Sequence, residues 1–154
     1  MPRREAFERE AMRSLAAMFD AFPLHRPLGF RVREVAPGRA VLRLPFRRRL
    51  TSAYGIHGGV VLALADAAGG LAAFSALRPG RRVATVELKL NYVASAAQSA
   101  LEAEARVAHQ GRTTVVSDIE VRSAGALQAK ALGTYMVLPD RRPRGRAGAG
   151  RRSA

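Results

Sequence analysis

From Gly55 to Leu77 the chain runs Gly-Ile-His-Gly-Gly-Val-Val-Leu-Ala-Leu-Ala-Asp-Ala-Ala-Gly-Gly-Leu-Ala-Ala-Phe-Ser-Ala-Leu. Between Val60 and Leu77 its one charged residue is Asp66, and the apolar residues fall all round the helical wheel instead of along one stripe. That is the pattern of a helix buried on every side, so the rest of the chain has to wrap around it. A run of about 18 apolar residues also approaches the length of a membrane span. The central Asp66, the excess of Ala and Gly over Leu and Ile, and the lack of a second such run favour a core helix, with no membrane as partner.

His57-Gly58-Gly59 opens this helix with a polar capping candidate and two residues that let another group approach the backbone. The first turn carries N–H groups without intrahelical partners and the positive end of the helix dipole, which suits a carbonyl oxygen gaining negative charge. Asp66 is the other notable feature, because a carboxylate in so apolar a helix must be paired, hydrogen-bonded or functional. On this ground alone, a structural carboxylate held by a neighbouring strand and a reactive one are both open.

Spacing adds a constraint. Asp66 lies nine positions after His57, hence about 13 Å along the axis and about half a turn round it. One chain cannot easily bring its helix start and its carboxylate to the same carbonyl. Two antiparallel copies about a two-fold axis place Gly58 of one beside Asp66 of the other. Gly69 and Gly70, three and four residues beyond Asp66, are expected to clear the same face for that approach or for a ligand.

His57-Gly58-Gly59 with Leu64-Ala65-Asp66 following, preceded by two strand-like runs and followed by four, resembles the hotdog-fold acyl-CoA thioesterases. The likeness is in particular to the PaaI-like group related to phenylacetate-pathway and 4-hydroxybenzoyl-CoA thioesterases, and it covers about Pro27 to Leu138. The resemblance implies an α+β domain, an antiparallel sheet wrapped around one long central helix, with an extra N-terminal helix in this chain. It also implies dimers paired into dimers of dimers, active sites at the dimer interface, and hydrolysis of an acyl-CoA to free acid and CoA. No cofactor is expected, coenzyme A entering only as part of the substrate.

Carried over by residue, the Gly58 N–H polarises the thioester carbonyl and Asp66 of the other subunit acts as base or nucleophile. His57 holds the helix start and the carbonyl region, and Thr85 on the following strand orients the water or the carboxylate. Gly59 lies with the substrate-binding residues. The family often has an Asn six residues before the His; Thr51 stands there in this chain, and Gly55 comes one place later than the family's usual glycine. Thr51 and Ser52 are the candidates to take that Asn's part. The alternative on the same fold is a non-catalytic acyl-CoA-binding or ligand-sensing module.

The remaining sequence fits a single domain over residues 1–138. Residues 1–26 form an amphipathic helix and linker, with Phe7, Ala11, Leu15, Met18 and Phe22 as its apolar face, ended near Pro23. Leu28–Val35 and Arg39–Phe46 flank Pro37-Gly38 as a hairpin, and Arg47–Arg49 follow as a charged loop. In Val83–Val93, strict alternation puts Ala84, Val86, Leu88, Leu90 and Tyr92 on one face and Thr85 on the other. Ala100–Ala108, Thr113–Arg122 and Leu127–Leu138 complete the strands.

Net charge is +14, and 24 of the 26 basic residues are Arg. Six of these arginines lie in residues 140–154, so 139–154 reads as a disordered Arg-rich tail of solvated charge, not as a nucleic-acid site. Arg81 and Arg82 with Arg78, or Arg47 to Arg49, offer charge-assisted bonds to the phosphates of CoA. No metal site is expected, because His25, His57 and His109 sit in separate elements, and His25 and His109 read as surface residues. The absence of cysteine excludes disulfides and thiol catalysis. With no apolar targeting segment and with Glu5, Glu8 and Glu10 in the first helix, the expected location is the cytoplasm.

Overall fold

The structure, a computed structural model, describes residues 2–94 and 98–139. Of the expected tail only Pro139 falls within it, as the last residue of a strand; residues 140–154 lie outside the described residues. Helix α1 (Pro2–Asp20) and the single turn α2 (His25–Leu28) lead into a hairpin of β1 (Arg31–Ala36) and β2 (Arg39–Leu44). A 3-10 turn (Arg48–Leu50) and a small hairpin of β3 (Thr51–Ser52) and β4 (Gly55–Ile56) precede α3 (Gly58–Ser75). Then come β5 (Arg81–Tyr92), β6 (Leu101–Gln110), β7 (Thr114–Ser123) and β8 (Ala126–Pro139).

Six strands form one antiparallel sheet in the order β1-β2-β6-β7-β8-β5, so the strand that follows α3 closes the far edge. The turns have the chemistry their residues supply. Gly38 takes φ 76 between β1 and β2, and Ala124 and Gly125 (φ 48 and 82) make the two-residue loop whose positive φ values suit a tight hairpin.

The sheet wraps α3, as the resemblance implies. Leu64, Ala65, Ala68, Leu71 and Ala72 pack on Leu42, Leu44, Ala103, Ala105, Ile119 and Ala131. Small side chains on both partners, Ala65, Ala68 and Ala72 against Ala103, Ala105 and Ala131, allow helix and sheet to approach closely. The outer face of the sheet is ionic instead: Arg39 bridges Glu34 and Glu104, and Lys130 bridges Asp118 and Glu120. Such exposed pairs add little stability, but they mark which face meets water.

Gly69 and Gly70 are buried, and they do not clear the helix for a second copy. They make room for the chain's own Tyr135. A Cβ on Gly69 would stand 2.1 Å from the Tyr135 hydroxyl and 2.7 Å from Ile119, and one on Gly133 of β8 would stand 2.8 Å from the same hydroxyl.

The face of α1 also differs from expectation. Leu15 and Phe19 are buried and Met12 packs beside them, while Phe7 is 76% exposed and Ala11, Met18 and Phe22 face out. The reason lies at the helix end, where Asp20 Oδ1 accepts from the Val32 N–H at 2.8 Å and ties that turn to β1. His25 is buried rather than on the surface: its Nδ1–H donates to Phe19 O at 2.7 Å, and its ring packs among Phe19, Phe22 and Phe30. The first strand begins only at Arg31, because Leu28 closes α2 and Gly29 turns the chain at φ 85.

Gly69→Ala is expected to cost about 1–3 kcal/mol through overpacking against Tyr135. The midpoint of urea unfolding reads this directly.

Candidate active site

His57 caps α3. Its Nδ1 accepts from the Gly59 N–H at 2.9 Å, which leaves the proton on Nε2 of the exposed ring when the imidazole is neutral. The His57 carbonyl takes the N–H groups of Val60 and Val61, and its own N–H donates to Leu50 O at 2.9 Å. These bonds use every amide of the first turn but one. The Gly58 N–H has no partner among the described residues, at the positive end of an 18-residue helix.

Tyr92 completes this end. Its hydroxyl donates to Gly58 O at 2.6 Å and its ring lies against the Gly58 Cα, where a side chain would crowd it at 3.0 Å. Thr51 and Ser52 stand nearby in the β3–β4 hairpin, but their hydroxyls are turned to Arg48 O (2.7 Å) and Gly55 O (3.3 Å). In this structure His57 therefore leans on the Leu50 backbone and on its own helix, and neither hydroxyl takes the part of the absent Asn.

Asp66 forms a second group two turns along. Its Oδ1 accepts from Thr85 Oγ1 at 3.0 Å, and its carbonyl accepts from the Tyr135 hydroxyl at 3.2 Å. Strict alternation along β5 would turn Thr85 away from the helix. A bulge prevents this: the pairing with β8 passes from Thr85↔Tyr135 to Glu87↔Thr134, so Val86 is the extra residue and the phase flips. Val83 and Thr85 thus share the helix side with Leu88, Leu90 and Tyr92. Burial first, then the nearby Asp66 charge, raises the Tyr135 hydroxyl far above the ordinary phenol range, which keeps it a donor.

One chain therefore keeps the two groups apart, with His57, Gly58 and Gly59 at the helix start and Asp66 with Thr85 about 12 Å further on. Arg81 and Arg82 lie exposed at the outer end of β5, on the Asp66 side. Arg47 and Arg49 are partly committed to Pro27 O. The sequence reading has Tyr92 only as part of one strand face and Tyr135 not at all, since nothing in a strand pattern tells an aromatic that packs from one whose hydroxyl reaches a helix backbone. Among the described residues no cluster of three or more His, Asp or Glu side chains is placed to hold a metal ion.

Along α3 one stripe stays uncovered, through Gly59, Leu62 (39% exposed), Ala63 and Asp66. Beside it runs β5, an edge strand of 12 residues with Val86 54% exposed. The carboxylate and the free amide thus lie on, or next to, a surface of the chain that is both apolar and open.

Residues 55–130, which hold both groups, match the thioesterase superfamily. A protein of Saccharolobus solfataricus named only as a candidate esterase is 34% identical, over 72% of this chain and 80% of its own length. The 1,4-dihydroxy-2-naphthoyl-CoA hydrolase of Listeria monocytogenes is 29% identical over 64% of this chain and 80% of its own. Among solved structures, a thioesterase family protein from Silicibacter pomeroyi superposes with a TM-score of 0.76 at 32% identity, covering 81% of this chain and 96% of that one. The PaaI protein of the E. coli phenylacetic acid operon shares the fold, with a TM-score of 0.78 at 24% identity over 86% of this chain and 96% of that one.

The raised folded-state pKa of Tyr135 means that its contribution to stability is complete below the unfolded value and falls as pH rises past it. Urea midpoints are therefore expected to fall above about pH 10, where an unfolded Tyr ionises, more steeply in the parent than in Tyr135→Phe. Equal slopes would show that Tyr135 does not carry the effect.

Proposed function

The chain belongs to the thioesterase superfamily and is a thioester hydrolase, and from that premise we propose that it hydrolyses an acyl-CoA at sites shared between two subunits. The observation that carries the proposal is the separation within one chain of a free helix-start amide at Gly58 from a strand-held carboxylate at Asp66. Antiparallel packing of two α3 helices across their open stripes, flanked by pairing of the two β5 edges, brings Gly58 of one copy to Asp66 of the other. The same packing covers Leu62 and Val86, whose exposure in a lone chain is otherwise unexplained.

The chemistry then follows the geometry. The thioester carbonyl oxygen faces the Gly58 N–H, which stabilises the negative charge that grows there as the carbon is attacked. Asp66 of the other subunit drives the attack, either by taking a proton from water or by adding to the carbonyl itself. The Thr85 hydroxyl holds one carboxylate oxygen, leaving Oδ2 for this work. The tetrahedral intermediate collapses by breaking the C–S bond, and CoA leaves as a thiolate, which needs little acid assistance; on the water path this gives the free acid, and on the covalent path a water then cleaves the acyl–Asp66 anhydride to release the acid and restore the carboxylate. His57 keeps the helix start in shape through its bond from the Gly59 N–H. Tyr92 steadies the Gly58 peptide from the other side.

Arg81 and Arg82, on the same strand as Thr85 and outside it, are assigned to the phosphates of CoA. The resemblance extends the assembly to a dimer of dimers. Among the described residues one helix is long and apolar enough to cross a membrane, and it is α3, the core helix around which the sheet is built. We place the reaction in the cytoplasm, where acyl-CoA and free CoA are at hand.

Thiol release from a panel of acyl-CoAs tests the proposal. Asp66→Asn is expected to lower kcat at least about a hundredfold while the dimer persists, in line with loss of a positioned base. Equal turnover in both proteins would remove Asp66 from the chemistry. Leu62→Arg is expected to give folded monomers without turnover; sedimentation showing monomers that retain full activity would contradict shared sites.

A further inference from the structure

Where α3 packs on the sheet, the neighbouring strands β7, β8 and β5 each turn one hydroxyl onto the same turn of the helix. Ser117 Oγ of β7 donates to Gly69 O at 3.1 Å, the Tyr135 hydroxyl of β8 to Asp66 O at 3.2 Å, and Thr85 Oγ1 of β5 to Asp66 Oδ1 at 3.0 Å. Ser117 and Tyr135 are buried. Sheet register gathers them: Thr85 pairs with Tyr135, and Ser117 pairs with Gly133, where a Cβ would crowd the tyrosine hydroxyl at 2.8 Å. Gly69 opens the matching space on the helix.

The two bonds to backbone are not needed to complete the helix. Each carbonyl lies within α3 and faces the N–H four residues on, that of Gly70 for Asp66 and that of Ala73 for Gly69. Burying a hydroxyl costs much of what its bond returns, so the net gain in stability is small. What the bonds add is direction. Much of the remaining contact sets Ala65, Ala68 and Ala72 against Ala103, Ala105 and Ala131. Side chains this short make shallow ridges, which hold a helix weakly against rotation and sliding.

We propose that Tyr135 and Ser117 are positioning residues for Asp66: by pinning the turn from Asp66 to Gly69 onto the sheet, they fix the rotation and height of α3 at which the carboxylate meets Thr85 and faces Gly58 of the other subunit. The inference rests on the hydrolase reading above, in which Asp66 reacts across the subunit interface. A reacting group misplaced by about 1 Å costs up to about a hundredfold in rate, so loss of a pin is felt in kcat before it is felt in folding.

Tyr135→Phe and Ser117→Ala each delete one hydroxyl and leave the helix's own bonds in place. With the acyl-CoA that the parent turns over fastest, Tyr135→Phe is expected to lower kcat about tenfold, with KM within about twofold and the dimer intact. Ser117→Ala is expected to act in the same direction, by about threefold or more. A double-mutant cycle separates positioning from a general loosening of the fold. In the Asp66→Asn background Tyr135→Phe is expected to leave the residual rate unchanged, because the group it positions is gone. A further reading needs no turnover: the 13C signal of the Asp66 carboxylate, assigned by its absence in Asp66→Asn, is expected to move in Tyr135→Phe while that of Asp118 on the outer face stays.

Full kcat in both hydroxyl variants would overturn the inference, as would a Tyr135→Phe effect of the same size with and without the Asp66 carboxylate. Should Tyr135→Phe fail to fold, Ser117→Ala carries the same readings. If Asp66→Asn turns over like the parent, the hydrolase reading of Asp66 falls, and the carboxylate signal decides the inference by itself: a shift in Tyr135→Phe supports the pinning, and an unmoved signal overturns it.

Discussion

Burial of α3 by the sheet decides where everything chemical can be. The helix is apolar on nearly all sides, so the six strands of the sheet close over it, while the stripe through Gly59, Leu62, Ala63 and Asp66 stays open. A carboxylate is tolerated there because that stripe is not fully desolvated and because Thr85 supplies a hydrogen bond. The free amide of Gly58 has the same origin: capping by the His57 side chain and carbonyl satisfies the other first-turn donors and leaves this one pointing outward. The packing of a core helix thus sets both halves of a reactive pair and holds them too far apart to meet in one chain.

Much of this was legible in the residues. The wheel of Val60 to Leu77 announces a core helix, the turn chemistry at Pro37-Gly38 marks a hairpin, and His57 before two glycines reads as a cap. What was not legible depends on register and on contacts distant in sequence. The bulge at Val86 leaves no mark in an alternating pattern, yet it alone turns Thr85 toward Asp66; the family resemblance pointed to Thr85 where periodicity pointed away. Gly69 read as a clearing for a second helix, whereas a tyrosine 66 residues later fills it, a contact set by how β8 registers on β7 and β5. The face of α1 turned on a single bond from Val32 to Asp20, and His25 is buried because a short α2 folds it under the aromatic rings.

Edge strand and open helix stripe are parts of the same arrangement. A 12-residue edge with exposed apolar groups is a surface prone to pair with another chain, and natural proteins usually blunt such edges. Here the edge runs beside the carboxylate, so covering it and completing the active site become a single event. On this account dimerisation is part of the catalytic design: it buries Leu62 and Val86, excludes water from around Asp66, and supplies the second half of each site.

The most direct test is complementation between two inactive subunits. Gly58→Pro removes the free N–H at the first helical position, where the extended His57 (ψ 135) suits a following proline and the crowded Tyr92 hydroxyl, 3.0 Å from a Cβ at this position, has to shift by a few tenths of an ångström. Gly58→Pro and Asp66→Asn subunits, co-expressed with different tags and purified as the mixed dimer, leave one site with both groups intact. Each variant alone should be inactive, while the mixed dimer should recover about half of the parent turnover, one working site in two. A mixed dimer as inactive as its two parents would contradict shared sites and place Gly58 and Asp66 of one chain in the same reaction.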